Sequence, residues 1–131
     1  MAGEEILVAD DDRQSVLLLQ HFLGRDGYNV RVATDGRQAM DFLDLGVETG
    51  VLPDLVILDV HLRFADGFQV LRHIREAIGP KLRVLMLSQQ SREEDVIRAL
   101  DSGAMDFVGK PYSIDILRAR VRNLLRCERC E

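Results

Sequence analysis

Leu55-Val56-Ile57-Leu58-Asp59 is the most informative stretch of this sequence, because four apolar residues run directly into an acid. Ile6-Leu7-Val8-Ala9 likewise runs into Asp10, and Arg83-Val84-Leu85-Met86-Leu87 ends at Ser88. Continuous rather than alternating apolarity is typical of strands that are covered on both faces, as in a parallel sheet. These segments therefore predict three central strands of a parallel β-sheet, with a polar residue where each strand ends.

Two further segments predict strands at the edges of that sheet. Asn29-Val30-Arg31-Val32-Ala33 alternates between apolar and polar residues, and Asp106-Phe107-Val108-Gly109 is short. Amphipathic stretches between the strands carry apolar side chains at helical spacing. Ser113 is the expected N-cap of the last helix, and residues 46–54 form the longest expected connection. The helices are predicted near residues 16–23, 36–45, 71–78, 91–102 and 114–124.

Five strand–helix units in 131 residues predict one compact α/β domain with a doubly wound, five-stranded parallel sheet. Right-handed crossovers place the carboxyl ends of all the strands along one edge of the sheet. With the two weaker strands at the edges, the natural strand order is 2-1-3-4-5. Ligands bind at the switch point of such sheets, so functional residues are expected where the first and third strands end.

Acids cluster at that switch point. Asp10, Asp11 and Asp12 follow the first strand, and Asp59 ends the third. Neighbouring strands lie about 4.8 Å apart, so these carboxylates are expected to crowd together and to raise at least one pKa. Hard oxygen ligands at this density suit Mg²⁺. Asp12 is assigned instead to the N-cap of the first helix, a position that aspartate favours.

The fourth and fifth strands bring a hydroxyl and an ammonium group to the same edge. Ser88 ends the fourth strand, and Lys110-Pro111 follows the fifth. Carboxylates, a divalent cation, a hydroxyl and a lysine around one point can bind and transfer a phosphoryl group, because they neutralise the charge on its oxygens. The sequence therefore predicts a phosphoryl-transfer site at this edge of the sheet.

This set of strand-end residues resembles the conserved set of the receiver domains of two-component response regulators. The loop Asp59-x-x-Leu62-x-x-x-Asp66-Gly67 is similar to the loop that follows the acceptor strand in that family. The resemblance covers residues 5–126 and implies a flavodoxin-like three-layer sandwich. It also implies a single receiver domain over residues 1–131. Such a domain either acts alone by docking to a partner, or continues through a linker that begins at residues 127–131 into an output domain.

The resemblance implies that Asp59 is the phospho-acceptor. A sensor histidine kinase or a histidine phosphotransfer protein would supply the phosphoryl group from a phosphohistidine. Mg²⁺ or Mn²⁺ would be held directly by Asp11, Asp59 and the backbone carbonyl of His61, and through water by Asp10. The domain would be a signalling switch rather than an enzyme, because it assists only its own phosphorylation and dephosphorylation.

The remaining conserved positions of the family have matching residues in this chain. Lys110 is expected to pair first with Asp59 and then with the phosphoryl oxygens, and the Lys110-Pro111 peptide bond is expected to be cis. Ser88 is expected to donate a hydrogen bond to the phosphoryl group. Ser88 and Phe107 match the family's switch pair, although Phe107 lacks the hydroxyl of the tyrosine that is often found there. A plain core phenylalanine is an equally good interpretation of Phe107, because one side chain can fill both roles.

Two features depart from the family pattern, and two further residues are expected to influence the reaction. Leu62-Arg63 stands where Met-Pro is usual, so the loop is expected to be more mobile. Gln89 replaces a small residue and is expected to crowd the incoming phosphodonor. Gln90 and His61 flank the same space and are expected to tune the lifetime of the phosphoryl group.

Residues of the fifth predicted strand and of the last predicted helix suggest a weak homodimer. Asp106 and Arg120 match one salt-bridge pair through which some family members dimerise, but Val96 and Ile116 replace charged residues of other pairs. One exposed pair contributes only about 0–1 kcal/mol, which cannot hold a dimer alone. Ordinary surface charges are an equally good interpretation, and the arginines of this helix, Arg118 among them, predict a solvated face.

The net charge, the length of the apolar stretches and the cysteine content of the chain reduce the number of function classes that suit it. A formal net charge of −5 argues against direct nucleic-acid binding by this chain. No apolar stretch reaches membrane-spanning length, which favours a cytoplasmic protein without membrane contact. Cys127 and Cys130 form a Cys-x-x-Cys that lacks a second pair for a closed zinc site, so two exposed thiols are the simpler interpretation.

Two other functions compete with this interpretation. A phosphatase similar to the haloacid dehalogenases also uses a strand-end aspartate, Mg²⁺, a hydroxyl and a lysine. It requires a second aspartate two residues after the nucleophile, where this chain has His61, and it generally requires a longer chain. An interaction module that is never phosphorylated has no need of clustered charge, so complete retention of the acidic and basic set argues against it.

Overall fold

The computed structural model describes residues 3–89 and 92–126, in which five strands alternate with five helices. Gln90, Cys127 and Cys130 lie outside the described residues. No helix within the described ranges is long and apolar enough to span a bilayer. The strands are β1 (Glu5–Ala9), β2 (Asn29–Ala33), β3 (Leu55–Asp59), β4 (Arg83–Ser88) and β5 (Asp106–Gly109). The helices are α1 (Arg13–Arg25), α2 (Gly36–Thr49), α3 (Gly67–Ala77), α4 (Glu93–Asp101) and α5 (Ile114–Arg126).

All five strands are parallel, in the order β2-β1-β3-β4-β5. This arrangement confirms the predicted doubly wound, flavodoxin-like sheet. Every residue of β3 is buried, and β1 and β4 are buried except at their first residues. The two edge strands are partly exposed, as their sequence patterns predict.

Two apolar layers cover the sheet because successive strand residues point to opposite faces. Leu58 faces one layer, which includes buried residues of α2, α3 and α4, whereas Ile57 faces a second layer with buried residues of α1 and α5. Helices therefore cover both faces, as expected for strands of continuous apolar residues. This three-layer packing leaves the carboxyl ends of the strands as the edge where polar side chains gather.

Three helices begin with an aspartate N-cap directly after the strand or loop that precedes them. Asp12, Asp35 and Asp66 each accept a hydrogen bond from a backbone N–H in the first turn of α1, α2 and α3, respectively. The cap predicted for Asp12 is confirmed. Ser113 accepts a hydrogen bond from the Ile116 N–H at 3.3 Å, which confirms the cap predicted for the last helix.

The connection predicted for residues 46–54 is wrong, because α2 continues to Thr49. Gly46 does not end the helix. It is buried against Leu52, and a Cβ at this position would lie 2.8 Å from that side chain. The helix ends instead at Gly50, whose φ of 77° is the left-handed conformation that glycine adopts without strain.

Arg118 does not lie on a solvated face, which corrects the interpretation of the last helix. Its guanidinium donates two hydrogen bonds to Asp26, at 2.6 and 2.8 Å, and lies 5.4 Å from the centre of the Phe22 ring. This pairing lowers the pKa of Asp26. The bidentate contact ties α5 to the end of α1, because Asp26 is the C-cap of that helix.

Arg75 joins two loops at the amino edge of the sheet, where the strands begin: the loop between α3 and β4 and the loop between α4 and β5. Its guanidinium donates to the carbonyls of Gly79, Leu82 and Gly103 at 2.8, 2.9 and 2.5 Å. Burial lowers the pKa of Arg75. Gly103 has a φ of 103°, and a Cβ there would lie 2.6 Å from Arg75 Nε, so only glycine fits this clamp without displacement.

Candidate functional site

The three predicted carboxylates meet at the switch point of the sheet. One oxygen each from Asp10, Asp11 and Asp59 lies within 4.8 Å of the other two. They converge because Ala9 of β1 pairs with Leu58 of β3, so the next residues of both strands stand side by side. Asp10 is fully buried and Asp59 is 5% exposed, whereas Asp11 is exposed. The predicted crowding is therefore present, and Asp11 is the member that reaches solvent.

Lys110 completes the cluster from the edge of the sheet. Its Nζ donates to Asp59 Oδ2 at 2.7 Å and to Asp10 Oδ2 at 2.9 Å, and its side chain is only 9% exposed. The Lys110 backbone N–H donates to the Ser88 carbonyl at 2.8 Å, which fixes the end of β5 to the end of β4. The Lys110-Pro111 bond is cis, as expected.

The charges in this cluster are not balanced, because one ammonium group serves two buried carboxylates. Burial raises the pKa of Asp59, and the negative charge of Asp10 raises it further against the opposing hydrogen bonds from Lys110 and the His61 N–H. Burial alone would lower the pKa of Lys110, but its bonds to Asp59 and Asp10 outweigh burial and raise it. The excess negative charge at this point suits a bound cation.

Backbone N–H groups hold the other oxygen of each buried carboxylate. Asp10 Oδ1 accepts from the Asp12 N–H and Asp59 Oδ1 accepts from the His61 N–H, both at 2.9 Å. Each bond reaches two residues along the chain and stabilises the turn that follows the strand. The His61 side chain is exposed and lines a cavity of about 210 Å³ that it shares with Ser88.

Backbone contacts restrain the loop between β3 and α3. A Cβ at Gly67 would lie 2.4 Å from the Asp59 carbonyl oxygen, so the start of α3 can approach the end of β3 this closely only with glycine at this position. The Arg63 carbonyl accepts from the N–H groups of Ala65 at 2.8 Å and Gly36 at 3.1 Å. These bonds restrain the loop although it lacks the usual proline.

A cavity of about 520 Å³ opens between α1 and the connection from β5 to α5. Gln89 is exposed and forms part of its wall, close to Lys110. This position is compatible with the predicted crowding of a phosphodonor, which stays a prediction. The walls also include Asp12, Gln14, Ser15, Leu18, Pro111 and Tyr112.

The predicted switch and dimer residues lie beside the site. Ser88 is 1% exposed at the end of β4, and Phe107 is half-buried against the layer that contains α4. Arg120 Nη1 lies 3.1 Å from Asp106 Oδ2 of the same chain. The two residues predicted to pair between chains therefore form an ion pair within one chain, where β5 begins beside α5.

Two polar residues at this edge were missed by the sequence analysis. Ser15 is a buried polar residue, and its hydroxyl lies 3.4 Å from the hydroxyl of Tyr112. The spacing of Leu19 and Leu23, extended back by one helical turn, places Ser15 on the buried face of α1 and could have identified it. Tyr112 follows Lys110-Pro111 directly, but its partner is 97 residues away along the chain.

Comparison with known proteins identifies the family. Residues 6–122 match the model of the response regulator receiver domain. Response regulator MprA of Mycolicibacterium vanbaalenii is 39% identical over 121 residues, which cover 92% of this chain and 50% of the relative. The alkaline phosphatase synthesis transcriptional regulatory protein PhoP of Bacillus subtilis is 40% identical over 126 residues, covering 95% of this chain and 49% of that protein.

The fold comparison agrees with the sequence comparison. The receiver domain of the Francisella response regulator 1452 superposes with a TM-score of 0.83 at 30% identity, covering 94% of this chain and 97% of that structure. This chain therefore belongs to the response regulator receiver domain family of two-component systems. It spans about half the length of the curated relatives it matches.

Proposed function

We propose that this domain is a phospho-acceptor switch and that Asp59 carries the phosphoryl group. The observation that carries the proposal is the buried Asp59 carboxylate, held by Lys110 at 2.7 Å beside a second buried acid. In the reaction, an Asp59 oxygen attacks the phosphorus of a phosphohistidine and the phosphorus–nitrogen bond breaks. The bonding electrons return to the imidazole nitrogen, and the acceptor becomes an acyl phosphate.

The acidic cluster suits a Mg²⁺ or Mn²⁺ ion, because it supplies hard oxygen donors and excess negative charge. Asp11 and Asp59 would hold the ion with the backbone carbonyl of His61, and Asp10 would act through water. Bound Mg²⁺ would neutralise charge on the phosphoryl oxygens. Asp11 is suited to this role by its exposure, because it can receive an ion from solvent without first breaking the bonds of Lys110.

Lys110 and Ser88 would act on the phosphoryl group after transfer. The Lys110 ammonium must then exchange a carboxylate oxygen for a phosphoryl oxygen, and the Ser88 hydroxyl can donate to another. Movement at Ser88 and Phe107 would carry the change to the face formed by α4, β5 and α5. His61 and Gln89 would tune hydrolysis of the acyl phosphate, and Gln90, assigned the same role, lies outside the described residues.

The direct test is Mg²⁺-dependent labelling by acetyl phosphate, followed by intact-mass spectrometry. The wild-type protein should gain one phosphate, and Asp59→Ala should gain none. Asp12→Asn is the matched control, because asparagine also caps a helix and Asp12 belongs to α1 rather than to the cluster. A label that persists in Asp59→Ala, or that disappears in Asp12→Asn, would contradict the assignment of Asp59.

The phosphatase alternative is not favoured by the family match. A hydrolase of that kind requires a second acid two residues after the nucleophile, and this position holds His61. p-Nitrophenyl phosphate is a suitable substrate to separate the two functions. We expect no continuous release of p-nitrophenol, because the domain assists only turnover of its own acyl phosphate.

The phosphodonor would be a sensor histidine kinase or a histidine phosphotransfer protein, as response regulators require. We propose that residues 5–126 form a single receiver domain, which the match over residues 6–122 supports. A cytoplasmic location would follow from the location of such donors. The named relatives include transcriptional regulatory proteins about twice as long, so an output activity carried by a further domain is part of the proposal.

We also propose at most a weak homodimer on the face formed by α4, β5 and α5. Asp106 and Arg120 would have to exchange their contact within one chain for contacts across the interface. Exposed apolar side chains on this face, Ile97 and Ile116, would add buried area. Sedimentation with and without beryllofluoride is the test, and a monomer in both conditions at high concentration would exclude the dimer.

A further inference from the structure

Ser15 stands apart among the buried polar residues. Within the described ranges, the polar or charged residues classed as buried are Asp10, Ser15, Asp59 and Ser88. Three of these belong to the proposed phosphorylation site, and all four lie at the carboxyl edge of the sheet. A buried hydroxyl is costly unless it is hydrogen-bonded, and Ser15, which lines the cavity of about 520 Å³, can bond either water or a protein group.

A protein group within reach of Ser15 is the hydroxyl of Tyr112, which lies 3.4 Å away and lines the same cavity. Tyr112 lies two residues after Lys110, and its ring packs against the apolar layer that contains α1 and α5. The ordinary pKa of tyrosine is about 10 and burial raises that of Tyr112, so both hydroxyls are protonated at neutral pH and either can donate to the other. The contact therefore links the loop that carries Lys110 to the helix that follows Asp10.

The length of the Ser15–Tyr112 contact indicates in which state of the domain the hydrogen bond is strong. Hydroxyl hydrogen bonds are usually about 2.7–2.8 Å long, so a 3.4 Å contact is weak in the unphosphorylated protein. Lys110 must change partners when Asp59 is phosphorylated, because one of its two hydrogen bonds is made to the Asp59 carboxylate, which then carries the phosphoryl group. A shift of the Lys110 loop by about 0.6 Å toward α1 would bring the two hydroxyls to full bonding distance.

We propose that Ser15 and Tyr112 form a positioning pair for Lys110. The hydroxyl bond closes as Lys110 turns to the phosphoryl group, and it holds the lysine there. The pair acts on the phosphorylated state and adds little to the unphosphorylated one. This inference rests on the proposed role of Asp59 as the acceptor.

Tyr112→Phe tests the pair, because it keeps the ring and removes only the hydroxyl. Beryllofluoride, which mimics the phosphoryl group on an aspartate, is titrated by calorimetry at saturating Mg²⁺. We expect about a three- to tenfold weaker affinity, the effect of one ordinary hydrogen bond. Mg²⁺ affinity and the thermal midpoint of the unliganded protein should stay unchanged, which a purely structural role of the hydroxyl would not allow.

Ser15→Ala should cause the same loss, and the double variant should lose no more than either single variant. Tyr28→Phe is the control, because it removes the hydroxyl of the other tyrosine, which is buried away from the cluster. The proposed pair would be contradicted if Tyr112→Phe bound beryllofluoride with wild-type affinity, or if the two losses of affinity added up in the double variant. A wild-type protein that binds no beryllofluoride would overturn the proposed function as well.

Discussion

At the amino edge of the sheet Arg75 donates to three backbone carbonyls, whereas at the carboxyl edge Lys110 is shared by two buried carboxylates. The carbonyls are dipoles that cannot titrate, and they belong to two loops, so the Arg75 contacts restrain the segments before β4 and β5. The carboxylates repel each other, and burial raises the pKa of Asp59. Buried charge therefore stabilises the fold at one edge, whereas at the other edge it suits the cation and the phosphoryl group that we propose to bind there.

The largest effect is expected at the amino edge. Arg75→Ala should lower the free energy of unfolding by about 2–4 kcal/mol, because it removes three charged hydrogen bonds and leaves partly buried carbonyls without them. Arg72→Ala is the matched control on the same helix, since Arg72 is 80% exposed and pairs only with Glu76 on the surface. Denaturant unfolding of both variants checks the contrast, and equal losses would show that the clamp is not specific.

A smaller loss of stability is expected from Asp26→Asn, which weakens the contact with Arg118. The pairing lowers the pKa of Asp26, so its stabilisation is present above the ordinary carboxyl pKa of about 3.9 and is lost as the pH falls through the lowered value. Thermal midpoints of the wild type and the variant should differ at neutral pH and converge in acid. Asp115→Asn is the control, because Asp115 meets the same arginine but is 83% exposed.

At the carboxyl edge, removal of a charge should raise the free energy of unfolding rather than lower it. In metal-free buffer, Asp59→Asn should raise the free energy of unfolding by up to about 1 kcal/mol, because it removes one of two mutually repelling buried carboxylates. Saturating Mg²⁺ should then stabilise the wild type more than the variant, since a ligand stabilises the state that binds it. Asp41→Asn, at an exposed position, should show neither change. A destabilised metal-free Asp59→Asn would refute the claim that the two edges differ.

The smallest effect concerns the wall of the large cavity. Gln89→Ala should speed phosphorylation by acetyl phosphate by about twofold, because the bulky amide stands beside Lys110. Mg²⁺ affinity should stay unchanged, since Gln89 is not part of the acidic cluster. Rates measured by intact mass at several times of reaction decide the question, and an unchanged or slower rate would remove the steric argument.

The sequence predicted the strands, their order and the acidic cluster, because these follow from short apolar runs and from the rule that parallel strands end at one edge. It misplaced the end of α2, since a glycine that normally breaks a helix is here required by packing against Leu52. It also missed the Arg118–Asp26 and Ser15–Tyr112 contacts, whose partners lie 92 and 97 residues apart. No local pattern marks such pairs, because only the folded chain brings their partners together.

The central claim is that Asp59, rather than Asp10 or Asp11, accepts the phosphoryl group. A test on the wild-type protein is the most direct one, because one oxygen each from these three acids lies within 4.8 Å of the other two. Borohydride reduction of the phosphorylated wild-type protein needs no substitution, since it converts an aspartyl phosphate to homoserine where it stands. Peptide mapping by mass spectrometry should find homoserine at position 59, and homoserine at position 10 or 11 instead would contradict the account.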